Sequence, residues 1–95
     1  MRVRYTPEAF ADRERILEYL EERSPVGARN VAASLRQAVA QLGDQPLSGY
    51  RTDLPGVRVK FVLRYPYKIF YRVRETMVEI LHIRHTSRRA WTGDR

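Results

Sequence analysis

The residues that could do chemistry lie mostly in the second half of the chain, and most of them are cations at alternate positions. Arg58, Lys60 and Arg64 fall in one run and Lys68 and Arg72 in the next; Arg84, Arg88 and Arg89 follow near the C-terminus, together with His85 and Trp91. Cations so spaced can hold a phosphate or an acidic surface. Metal-free RNA cleavage needs more: a group that takes the 2′-hydroxyl proton, one that protonates the leaving oxygen, and cations on the phosphate in flight. His85 is the good acid/base candidate of the tail, because His82 sits within a strand pattern where an imidazole is expected to be packed or hydrogen-bonded. Arg84, Arg88 and Arg89 suit phosphate or carboxylate binding better than proton transfer, since a guanidinium stays protonated. Trp91 can stack on a base, anchor an interface, or dock the tail onto the core.

Other chemistries find no support. No cluster of His, Cys, Asp and Glu has metal-ligand spacing, no glycine-rich loop leads from a strand into a helix, and Ser87 beside His85 lacks a third partner. No metal and no cofactor is expected. The chain has no cysteine, which excludes disulfides and thiolate metal sites and permits a reducing compartment. Its longest apolar runs are a few residues, against the roughly 20 that span a bilayer, and no apolar signal core follows Met1-Arg2-Val3-Arg4. The expectation is a cytoplasmic protein without membrane contact.

Charge divides unevenly along the 95 residues. The first 48 hold seven cations and seven carboxylates, the remainder eleven and four, so the whole net charge of +7 belongs to the second half. Such an excess attracts a polyanion or an acidic protein surface and makes association salt-sensitive, or else serves solubility alone. With 43% apolar residues the composition is globular, and the length suits a single domain over residues 1–95 with a basic tail from 84 to 95.

The elements that must position these cations follow from periodicity. Arg2 to Tyr5 alternates as a short strand. Thr6-Pro7 then signals a helix start, with the hydroxyl as cap and proline at the first helical position. Ala9, Phe10, Arg13, Ile16, Leu17 and Leu20 trace one helical face, ending near Arg23. Ser24-Pro25 repeats the signal for a second helix with the stripe Ala28, Val31, Ala32, Leu35, Ala38, Val39 and Leu42, ending at Gly43. Asp44 to Gly56 reads as loop. The period then changes to two: Val57, Val59, Phe61 and Leu63 alternate with Arg58, Lys60 and Arg64, and Tyr67, Ile69, Tyr71 and Val73 alternate with Lys68, Phe70 and Arg72. Met77 to Ile83 is apolar on both faces, as a central strand should be. The fold class is α+β in the order β-α-α-β-β-β: an antiparallel sheet with a helical hairpin on one face and Arg58, Lys60, Arg64, Lys68 and Arg72 together on the other.

Val3-Arg4-Tyr5-Thr6-Pro7-Glu8-Ala9, the alanine-bearing second helix, Pro46-Leu47-Ser48-Gly49, Tyr67-Lys68-Ile69-Phe70-Tyr71-Arg72-Val73 and Val78 to His85 together resemble the RelE/ParE toxins of type II toxin–antitoxin pairs. The resemblance runs from about residue 3 to 91 and implies a growth inhibitor neutralised by a cognate antitoxin, a small acidic DNA-binding protein, in a toxin–antitoxin hetero-oligomer. RelE-like members cut mRNA on the ribosome; ParE-like members poison DNA gyrase. Arg58, Lys60 and Lys68 stand near basic positions of the nuclease type, with His85 as the added candidate. The tail departs from that type, having Thr86 where a last basic residue belongs and no tyrosine after Tyr71. The ParE-like reading is therefore preferred, with a RelE-like endoribonuclease as the alternative and a non-toxic basic RNA-binding module as a third.

Overall fold

Both helices begin where a hydroxyl meets a proline. In the computed structural model, which describes residues 1–87, α1 spans Pro7–Arg23 and α2 spans Pro25–Asp44. Thr6 Oγ1 accepts the Ala9 N–H and Ser24 Oγ accepts the Gly27 N–H, each satisfying an amide that the first turn leaves without a helical partner. Ser24 also closes α1 by donating its own N–H to Leu20 O, so one residue makes the whole helical hairpin turn.

Five strands lie beneath: β1 (Arg2–Tyr5), β2 (Tyr50–Arg51), β3 (Arg58–Phe61), β4 (Tyr67–Arg74) and β5 (Met77–His85), in the spatial order β1-β5-β4-β3-β2. The expected meander β3-β4-β5 is antiparallel, and the α+β class stands. Two details differ from the sequence reading. β1 joins β5 in parallel, which makes the sheet mixed, and the segment expected to be loop contributes the two-residue edge strand β2. A parallel partner follows from the path: the helical hairpin delivers the chain into β2 running against β1, and the three antiparallel reversals through β3 and β4 bring β5 back along the direction of β1.

The core lies between the hairpin and one face of the sheet, from Leu35 and Leu42 above to Ile69, Tyr71, Val78, Ile80 and Ile83 below. Phe10, expected on the buried stripe, is exposed, because Ala9 and Asp12 take the inward positions of that turn. The last strand does not alternate evenly. Tyr71 pairs with Ile80 and Phe70 with His82, leaving Leu81 as the extra residue of a β-bulge. Beyond the bulge the faces exchange, so Ile83 and His85 turn toward the helices while His82 and Arg84 turn away.

β1 covers β5 only as far as Ile80. Past that point polar groups of the first helix region take over the edge. Thr6 Oγ1 donates to Ile80 O at 2.8 Å, and the buried Asp12 Oδ2 accepts the Ile83 N–H at 3.0 Å and lies 2.9 Å from His82 Nδ1. The other oxygen of Asp12 pairs with Arg15 at 2.6 Å. A carboxylate thus stands in for the missing strand, and β5 stays hydrogen-bonded where backbone pairing ends.

Candidate functional surface

Register decides which cations share a face, because directly paired residues project to the same side of a sheet. Arg72 pairs with Glu79 and Glu79 with Arg4, Arg74 with Met77 and Met77 with Arg2, and Lys68 with Arg84. All lie opposite the core residues Ile69 and Tyr71, so the helix-free face carries Arg2, Arg4, Lys68, Arg72, Arg74 and Arg84. At its centre Glu79, only 6% exposed, binds Arg4 Nη2 at 2.7 Å and Arg72 Nε at 2.8 Å, with Arg74 at 3.7 Å. Hydrogen bonds from Arg72, then from Arg4, hold its carboxyl below the ordinary glutamate value of 4.5, against the opposing effect of burial.

The expectation that five cations of β3 and β4 gather there is corrected in part. Arg58 pairs with Tyr71 and Lys60 with Ile69, which puts both on the helix side. Val59 and Phe61 take the open face instead, Val59 buried beside Phe70 and Phe61 exposed. The cause lies in what covers β3: on the helix side it meets the polar backbone after α2 rather than an apolar stripe. Arg58 donates to Gly49 O at 2.9 Å and Lys60 lies 3.5 Å from Ser48 Oγ. Tyr71 ties down the same segment, its hydroxyl donating to Pro46 O at 2.7 Å and accepting the Gly49 N–H at 2.9 Å. Burial pushes that phenol up from its ordinary value of 10.0. Arg64 sits in the turn between β3 and β4 at φ 75°, on neither face of the sheet. Sequence reasoning missed Arg2, Arg4 and Arg74; the alternation Arg2-Val3-Arg4-Tyr5 was the available signal, and the parallel pairing of β1 with β5 gives it meaning.

The four nuclease candidates do not converge. Lys68 is on the face opposite Arg58 and Lys60. His85 is exposed at the end of β5, edge-on to Tyr67 with ring centroids 5.6 Å apart. Its Nδ1 accepts the Ser87 N–H at 3.1 Å and lies 2.8 Å from the Ser87 hydroxyl, so that nitrogen is already in use. Beside it opens a groove of about 660 Å³ along α1, with Ile16, Leu20, Tyr67 and the exposed Tyr19 as its apolar wall and Arg15 at its rim. Arg88, Arg89 and Trp91 lie outside the described residues. Among the described residues no group of His, Asp and Glu could hold a metal ion, and no helix is long and apolar enough to cross a membrane.

Residues 3–90 match the family described as the ParE toxin of the type II toxin–antitoxin system parDE. The chain is 34% identical to toxin RelE2 of Caulobacter vibrioides over 84 residues, covering 88% of this chain and 93% of that protein. Its fold is similar to that of a chain from the chromosomal ParDE toxin–antitoxin system of P. aeruginosa, at a TM-score of 0.81 and 24% identity over 92% of this chain and 97% of the other. A chain of the toxin–antitoxin complex RelBE2 from Mycobacterium tuberculosis is similar at a TM-score of 0.61 and 28% identity, with 88% of each chain covered. The match across residues 3–90 and the 34% identity over most of both chains have one reading: the chain belongs to the ParE toxin family of type II toxin–antitoxin systems.

Proposed function

We propose that this toxin arrests growth in the cytoplasm by binding DNA gyrase, and that a small acidic DNA-binding antitoxin neutralises it in a hetero-oligomeric complex. The observation that carries a binding role over a catalytic one is the separation of the nuclease candidates: Lys68 projects away from Arg58 and Lys60, and His85 spends Nδ1 on Ser87. Catalysis of in-line cleavage needs an acid, a base and cations around one phosphate. Two of the similar solved structures come from toxin–antitoxin systems, which supports an antitoxin partner here. An acidic amphipathic segment suits the groove of Ile16, Tyr19, Leu20 and Tyr67 beneath Arg15, gaining apolar burial while it offsets positive charge.

Two measurements test this reading. Induced expression without an antitoxin is expected to stop growth, and the purified protein to inhibit plasmid supercoiling by gyrase while leaving mRNA intact in the presence of ribosomes. Ribosome-dependent mRNA cleavage with normal supercoiling would replace it by the RelE-like reading, which the 34% identity to a protein named toxin RelE2 favours. Growth unaffected by expression would leave only the basic RNA-binding module. The neighbouring reading frame is expected to encode the acidic antitoxin.

A further inference from the structure

We propose that the helix-free face of the sheet binds single-stranded nucleic acid, with Tyr50 and Phe61 stacking on bases and Lys68 and the arginines of β4, β5 and β1 on the phosphates. Tyr50 pairs with Val59 and Phe61 with Lys68, so both rings stand on the face that carries the cations. They meet edge-on with centroids 6.1 Å apart, and both are presented to solvent, Tyr50 at 68% and Phe61 at 48% exposure. Scattered exposed aromatics are ordinary on a protein surface, but two rings in contact beside a lysine on flat strands form a stacking platform.

The cations continue from that platform. Lys68 lies next to Phe61 across the β3–β4 pair and next to Arg84 across the β4–β5 pair, and among the described residues neither Lys68 nor Arg84 has a carboxylate partner. Among the described residues the enclosed Arg84 Nε finds no acceptor. Four residues along β4, about 14 Å at the rise of an extended strand, Arg72 joins Arg4 and Arg74 around the single carboxylate of Glu79. Three guanidiniums on one carboxylate keep a positive excess where a backbone leaving the rings would pass.

An acidic peptide would use these charges but has no need of two exposed rings side by side. A duplex hides its bases in the stack, and among the described residues this face has no projecting helix or ribbon to enter a groove. Unstacked bases fit both features. The surface excludes Arg58 and Lys60, which face the other way, and it stands whether or not gyrase is the target of the toxin.

The test is fluorescence polarisation of the purified full chain with a labelled mixed-sequence 12-mer, the same sequence as duplex, and a polyglutamate peptide. The single strand is expected to bind tightest. Replacing Tyr50→Ala and Phe61→Ala together should weaken single-strand binding about tenfold or more and leave duplex binding unchanged, while Tyr50→Phe with Phe61→Tyr retains it. Lys68→Gln, which leaves the Tyr50–Phe61 pair in place, should lower the salt slope of binding by about 0.7. Tighter binding of the duplex would overturn the proposal, as would an alanine pair, folded by circular dichroism, that holds the single strand like the parent chain. Preference for polyglutamate would overturn it in favour of an acidic protein ligand.

Discussion

Asp12 and Glu79 show how single carboxylates organise this chain. Asp12 holds the edge of β5 at Ile83 and His82 after β1 has ended. Asp12→Ala leaves a buried N–H without an acceptor, which should cost about 2–3 kcal/mol and lower the melting temperature by about 10 °C or more; an unchanged melting curve would show that the edge needs no such clamp. Glu79 has a lowered pKa because Arg72 and Arg4 bind its charged form. A carboxyl depressed by folding adds stability that is complete above its unfolded value near 4.5 and disappears as pH falls through the lower folded value. Glu79→Gln should therefore cost about 1–2 kcal/mol at neutral pH, discounted because the arginines are half-exposed, and should flatten the loss of thermal stability between neutrality and strong acid. Thermal melts of both proteins from pH 7 down to pH 3 check this, and parallel acid limbs would contradict it.

At the scale of elements, the segment between α2 and β3 matters more than its loop-like composition suggests. Tyr71 on β4 and Arg58 on β3 fasten it through Pro46 O, Gly49 N–H and Gly49 O. Gly49 is required by proximity: a Cβ there would lie 2.6 Å from the Tyr71 hydroxyl and 2.7 Å from Val59 O. The carbonyl belongs to a paired strand and cannot yield. Gly49→Ala should therefore cost about 2–3 kcal/mol, read as a lower urea midpoint at unchanged slope. The two helices were legible at this scale, because Thr6-Pro7 and Ser24-Pro25 carry both cap and first-turn chemistry in adjacent residues. The edge strand β2 was not, since two residues give no measurable alternation.

For the molecule as a whole, the split of cations between two faces separates functions that a flat reading of charge merges. Lys60 and His85 stand on the helix side, apart from Lys68. Lys60→Ala and His85→Ala, singly or together, are accordingly expected to leave growth arrest intact in induced cultures. Loss of arrest by both, with the proteins still folded, would point to ribosome-dependent cleavage. The net charge of +7 was visible from composition, yet the faces that bear it were not. Arg2 and Arg4 in the balanced half of the chain join Arg72 and Arg74, while Arg58 leaves the group expected of it.

What residue order alone determined here is what depends on neighbours along the chain: two capped amphipathic helices, a three-strand meander, an α+β class and a family resemblance. Tertiary structure decided what depends on partners distant in sequence. Side chains alternate with a period of two, so one extra residue at Leu81 reverses every position after it, and the register of β3 on β4 sends Arg58 and Lys60 to the side opposite Lys68. A pattern of period two names two faces without saying which of them the helices cover. Only the packed sheet makes that choice, because it is fixed by burial against the hairpin and by the polar segment that closes over β3.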